Sequence, residues 1–312
     1  MKLTSLLHVL GKNARFILAI GCIAALFLPQ LSAFIRPALP ALVSMVLGLS
    51  MARLDLAKIA KDAARPKSLL RAIGFAILIV PVTALIYAAI ARGLGLSETD
   101  YASLVLLAAA PPIASAAGLC FLLGFNARLA LETTLITTIL TPLLGPMIVV
   151  FLLPDAAPIS PFLLAQRLAL MIAGGLALGI GIRAVFGADR IDRNKLSFDG
   201  IAACGMVLFV IPLFDGVGAT ILDNPINAVW VLFLSFLFNI GINLLASGAA
   251  RLKLPQEDAG TLGIVWGNRT VAIYLAALPQ DPQFALFVAL YQFPMYLTPL
   301  IWGLRPNRAA KG

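Results

Sequence analysis

Asn268 and Arg269 stand in the middle of "GTLGIVWGNRTVAIYLAALP" (260–279), a stretch whose other residues are apolar, small or weakly polar. An arginine at the centre of a bilayer costs about 2.5–3.5 kcal/mol on insertion scales, so it needs a partner or a task. One task is to hold the carboxylate of an anionic ligand, which the guanidinium fork can do in two places. The other is to brace backbone carbonyls where the helix is interrupted, or to pair with Glu132. Glu132 is itself an acid within an apolar run, four residues after Arg128. That spacing permits a local ion pair. A partly buried glutamate can also carry a coupling proton. Ser115, Thr134, Thr270, Asn239, Asn243 and Gln292 add hydroxyls and amides to other apolar runs. They are ligands for a solute or an ion, or glue between helices. Trp266 abuts the interruption, as a wall of the site or as packing, whereas Trp230 and Trp302 fall near run ends and suit interfacial belts. The apolar runs hold no histidine and no carboxylate cluster, so acid–base and metal catalysis have no residues to work with. Cys22, Cys120 and Cys204 stand alone, which argues against a metal site or a disulfide framework. No metal and no cofactor are expected.

The elements that carry these residues are membrane helices. Of 312 residues, 61% are hydrophobic and 12% charged, and the mean hydropathy is +0.99. A soluble domain is about 25% charged. At about 20 residues per span, ten helices fit, at 15–30, 37–52, 69–92, 101–124, 128–153, 162–184, 198–214, 225–249, 259–279 and 283–304. The chain is then one membrane domain over 1–312, with the lipid bilayer as its surroundings. The N-terminal "MKLTSLLHVLGKNAR" reads as a polar stretch broken by Gly11, and the run after it as a retained helix, not a signal peptide. The net charge of +9 is a topology signal. With both termini cytoplasmic, 19 of the 23 Lys and Arg lie on the inner side, while Arg36, Arg92 and Arg167 lie outside and Arg269 within the membrane. Nucleic acid is therefore not a partner. The expected setting is the cytoplasmic (inner) cell membrane, as a multi-pass monomer. The longest loop, 53–68, has Leu54, Leu56 and Ile59 among basic residues and reads as an amphipathic helix on the membrane surface.

Pro-rich "PDAAPISP" (154–161) divides the ten helices into five and five. An odd number per half turns the second half upside down, which gives a 5+5 inverted repeat: about 15–153 and about 162–304. The fourth helix of the first half contains "AAAPPIASAAG" (108–118), and Pro111 and Pro112 remove two backbone donors there. The fourth helix of the second half contains "GIVWGNRTVA" (263–272), where Gly267 is a weak helix former and Asn268 and Thr270 can bond freed backbone groups. Broken helices 4 and 9, in corresponding places, mark a site at the membrane midplane. The chain has no GxxxxGK[ST] motif and no nucleotide-binding domain, so a primary pump is excluded. The plan is that of a secondary transporter.

The same segments resemble the bile acid:sodium symporter family. The likeness runs through "VLGLSMARLDLAKIAKDAARPKSLL" (46–70), "APPIASAAGLCFLLGFNARLALETTLITTILTPLLGP" (110–146) and "FNIGINLLASGAARLKLP" (238–255). It implies a panel moving against a core in which broken helices 4 and 9 cross. It also implies sodium ligands that are mostly replaced here. Where the family has Ala-Ser-Asn at the helix-4 break, this chain has Ala114-Ser115-Ala116. The helix-9 glutamate falls on Gly263. The helix-5 threonine is kept as Thr134, but the serine one turn earlier falls on Ala130. Substrate-binding candidates are Ser115, Asn268, Arg269, Thr270, Asn239 and Gln292, with Glu132 and Thr134 for a coupling ion, proton or sodium. The expected function is secondary transport of a small organic anion without the usual sodium sites, with Arg269 as a tethered cation. A sodium-coupled symporter with altered ligands and a passive carrier or channel stay open. Arsenite efflux carriers share a related fold but place a cysteine beside the helix-4 proline. Here Pro111-Pro112-Ile113 follow one another and Cys120 lies about two turns on, which speaks against that activity.

Overall fold

A computed structural model describes residues 3–52, 70, 73–74, 77–153 and 159–303. The basic loop with Leu54, Leu56 and Ile59, most of the Pro-rich divider, and the C-terminal Arg305, Arg308 and Lys311 lie outside the described residues. Everything described is helix, turn or short connection, apart from one isolated antiparallel bridge.

Helices α1 (Leu3–Lys12) and α2 (Ala14–Ala25) follow each other with a turn at Asn13. The next helix, α3, runs Pro29–Ala52 with a 3-10 turn at Arg36–Ala38. The expected helices 15–30 and 37–52 are therefore displaced. Pro29 sits in the first turn of α3, where its missing N–H costs nothing, so it opens a helix instead of closing one. Gly11 does not break the N-terminal stretch either. A Cβ there would sit 2.0 Å from Leu196 O, and one at Gly200 2.2 Å from Leu7 O. The two glycines let α1 lie directly on α10 (Lys195–Val210).

A π-helical turn, Leu78–Val82, leads into α4 (Thr83–Gly93). Then come α5 (Glu98–Ala109), α6 (Ala116–Leu122), α7 (Ala127–Leu152), α8 (Pro161–Phe186) and the short α9 (Ala188–Arg193) before α10. After α11 (Val217–Asp223), helix α12 (Pro225–Phe236) passes through a second π turn, Leu237–Gly241, into α13 (Ile242–Ala250). The chain ends with α14 (Gln256–Gly267), α15 (Ala272–Ala277) and α16 (Pro282–Gly303). Six stretches of the described chain are long and apolar enough to cross a membrane: Pro29–Ala52, Ala127–Leu152, Pro161–Phe186, Leu196–Phe214, Pro225–Ala250 and Pro282–Trp302. Interrupted pairs such as α5–α6 and α14–α15 fall short of that length piece by piece. The chain is an all-helical, multi-pass membrane protein.

The helices pack as two groups. In one, α3 lies along α8 through small residues: a Cβ on Gly175 would be 2.7 Å from Leu47 Cδ2, and one on Gly179 2.8 Å from Met51 Cβ. Ser44 Oγ donates to Met171 O and Ser32 Oγ to Ile211 O, each at 2.9 Å, and Arg36 pairs with Asp215 at 3.4 Å. With α1, α2 and α10 these helices form the first group. The second comprises α4–α7 and α12–α16 and holds the two interrupted pairs.

Irregularities in the second group recur at a nearly constant spacing. The π turns begin 159 positions apart (78 and 237). Helices α5 and α14 begin 158 apart (98 and 256) and end 158 apart (109 and 267). Ser103 Oγ donates to Thr99 O, and Thr261 Oγ1 to Glu257 O, again 158 apart.

Candidate functional site

The two interruptions meet. Pro112 and Arg269 form the isolated bridge, in which Thr270 N donates to Pro111 O at 2.8 Å and Ile113 N to Asn268 O at 3.0 Å. The prolines explain the first break: with two N–H groups missing, α5 cannot continue past Ala109. A backbone that leaves helical form inside a membrane must find new partners for its polar groups. Five successive carbonyls do. Ala109 O accepts from Tyr274 Oη at 3.2 Å, and Ala110 O from Arg269 Nη1 at 2.9 Å. Pro111 O takes Thr270 N, Pro112 O takes Thr270 Oγ1 at 3.2 Å, and Ile113 O takes Ala116 N at 3.0 Å.

Arg269 is 1% exposed. Its Nε donates to Trp266 O at 2.8 Å and its Nη2 reaches Thr83 Oγ1 at 3.4 Å. The same hydroxyl accepts from the Trp266 indole N–H. Ala110 O and Trp266 O lie at the carbonyl ends of α5 and α14. Those ends carry the negative pole of each half-helix, so the guanidinium sits where two partial negative charges converge.

A second set of side chains fixes the end of α14. Gly267 O accepts from Tyr291 Oη at 2.5 Å and from Asn239 Nδ2 at 2.9 Å. Asn268 Nδ2 donates to Ile264 O at 3.0 Å and to Asn243 Oδ1 at 3.4 Å. Asn243 Nδ2 donates to Asn239 O at 2.9 Å. The Thr298 hydroxyl lies 3.1 Å from both Asn239 Oδ1 and Asn268 Oδ1 and 2.9 Å from Pro294 O; with one hydrogen it serves one of them at a time. Asn239, Asn243 and Asn268 are all buried. The geometry allows nothing larger than glycine at 267, where a Cβ would meet Asn243 Nδ2 at 2.1 Å.

The remaining candidates are spread more widely. Glu132, 2% exposed, accepts from Arg128 Nε at 2.8 Å. Thr134 is buried, and its hydroxyl, like those of Thr133 and Thr137, has no hydrogen-bond partner among the described residues. Ser115 is exposed at the mouth of the first break, and Thr270 is half-buried at the second. Gln292 is buried and donates to Val288 O at 3.1 Å. Trp302 is a correction: instead of joining an interfacial belt it is 5% exposed, edge-on to Phe125 with centroids 5.3 Å apart. Thr83, Tyr274, Tyr291 and Thr298 complete the site, and nothing in their spacing marks them. A tyrosine or threonine in an apolar run is ordinary, and only the pairing of distant helices gives these a role.

A comparison with curated proteins returned no match. The model of the sodium bile acid symporter family matches residues 39–224, over half of the chain and including the first break. Together with the apolar helices, that match makes this a membrane transporter of a small molecule and not an enzyme: the chain belongs to the sodium bile acid symporter family.

Proposed function

We propose that the chain is a secondary active transporter of a small organic anion, with its site at the meeting of the two breaks and with Arg269 in place of the family's sodium. The observation that carries this reading is the buried guanidinium donating to the carbonyl ends of both α5 and α14. A cation there holds two converging negative helix ends together, which is what a bound sodium ion would do. The position that resemblance matches to the family's glutamate is Gly263, and a Cβ there would lie 2.6 Å from Asn243 O. A carboxylate has no room in that place.

The ten-span, 5+5 inverted plan, as one domain, belongs to the same proposal. The recurrence of π turns, half-helices and hydroxyl bonds at a spacing of 158–159 supports it. Ser115 and Thr270, the more open side chains of the two breaks, are proposed to meet the substrate, and Asn239, Asn268 and Gln292 to hold the site's shape. Coupling by sodium keeps one supporting observation, the buried and unpartnered hydroxyls of Thr133, Thr134 and Thr137. Uptake into proteoliposomes decides. Organic acids are offered with a sodium gradient, with a proton gradient and with neither, at fixed voltage. The proposal expects no response to sodium; a several-fold rise with the sodium gradient overturns it.

A further inference from the structure

The polar ties described so far stay within one group of helices. Between the groups, the core cluster of Met51 and Leu135, with Leu47, Leu131 and Leu176 packed on it, is apolar. Leu168 likewise packs close to Gly145, with its Cδ1 3.6 Å from where a Cβ would stand. Apolar contact is non-directional, so such a face permits one group to shift against the other. Arg167 is different. It projects from α8, in the first group, and its Nη1 donates to Ala277 O, in the second, at 2.6 Å. Ala277 is the last residue of α15, the half-helix that follows the second break. The acceptor is a carbonyl left free at a helix C-terminus, where the negative pole favours a cation. A charge-assisted bond of that length is short and directional.

We propose that Arg167 is a latch between the two groups, closing the end of the molecule at which α8 begins and α15 ends. Broken, it frees α15, and with it the second break, to separate from α8. The proposal rests on the transporter reading for its purpose, but its geometry can be tested without transport. Arg167 is exposed and touches none of the residues assigned to the site, so a substitution there leaves the breaks intact.

The test is a distance measurement between spin labels on Phe162→Cys and Gln280→Cys, both exposed and flanking the latch. The background has Cys22, Cys120 and Cys204 replaced by alanine. With Arg167 present the distance distribution should be dominated by one short, narrow peak. Arg167→Ala should move about tenfold more of the population to longer distances, from the loss of one charge-assisted bond. Arg167→Lys, which keeps the charge but loses the fork, should fall between. Thermal stability in detergent should change little, because the bond joins the two groups and each group keeps its own packing. Unchanged distances in Arg167→Ala overturn the latch, whatever the transport assay gives. A wider distribution in a protein that carries no organic anion sinks the transporter reading and leaves the latch standing.

Discussion

At the scale of single residues, Arg269 combines two possible roles, charge for a substrate and brace for the backbone, and the bonds favour the brace. Nε and Nη1 both go to carbonyls, and the side chain is sealed from its surroundings. Arg269→Ala should leave Ala110 O and Trp266 O buried without those donors. Each unsatisfied group costs about 1–3 kcal/mol, so the melting temperature should fall sharply and every ligand should suffer alike. Arg269→Lys keeps the charge but cannot reach both carbonyls with a planar fork, so it should recover only part of that loss. A melting temperature unaffected by Arg269→Ala, with anionic ligands lost and neutral analogues kept, would assign the residue to the substrate instead. Glu132 offers a parallel choice. If it moves a coupling proton, Glu132→Gln abolishes uptake driven by a pH gradient and spares counterflow exchange. If it serves only Arg128, at 2.8 Å, both assays are unchanged. Glu132 was conspicuous in the sequence as an acid in an apolar run, and so was its i,i+4 partner. The carbonyl partners of Arg269 were not, because a backbone oxygen leaves no mark on residue type.

The elements follow from rules the sequence states openly in some places and conceals in others. Pro111 and Pro112 announce a break, since two missing donors cannot be hidden. The second break is announced more faintly, by Gly267 beside a charge. Its cause becomes visible only in the packing: glycine admits Asn243, whose amide would lie 2.1 Å from a Cβ. Gly267→Ala should therefore push α13 from α14 and lower stability by about 1–3 kcal/mol, the usual cost of overpacking. Asn239→Leu should cost a similar amount by leaving Gly267 O with one donor fewer. Melting curves in detergent test both, and a stable Gly267→Ala protein would mean that α14 ends differently. The N-terminal helices were misplaced for a related reason. Gly11 reads as a breaker, but in a bilayer glycine permits close helix contact, and Pro29 falls in the first turn of α3, where proline opens a helix in any surroundings. Of the π turns before α4 and α13, Pro81 lies inside the first, and no comparable residue marks the second.

For the molecule as a whole, the ties between distant loops test the proposed alternation of spans. Asp100 accepts from the Trp230 indole at 3.0 Å and from Gln283 at 3.4 Å, and Tyr101 Oη donates to Leu152 O at 3.1 Å. The proposed topology puts all of these at the outer face, together with Arg36–Asp215 and Arg167–Ala277. Asn126 donates to Asp258 at 2.7 Å, and Arg183 reaches Ala52 O at 3.5 Å; the topology puts these at the inner face. None of the ties joins an outer loop to an inner one. The acids at the starts of the interrupted helices, Asp100 and Asp258, each bond an amide at the start of a helix in the other half, Gln283 and Asn126. A repeat turned upside down in the membrane would create that exchange, since each half then presents the same acid to opposite faces. Reporter fusions after Ser97 and Gln280 should accordingly lie outside, and fusions after Asn194 and Lys253 inside. The excess of basic residues on the proposed inner loops drives that orientation. Ser97 lies in the first half of the chain and Asn194, Lys253 and Gln280 in the second, so a reversal on one side of the divider alone would break the two-half plan. A reversal of all four would keep the plan and invert the molecule.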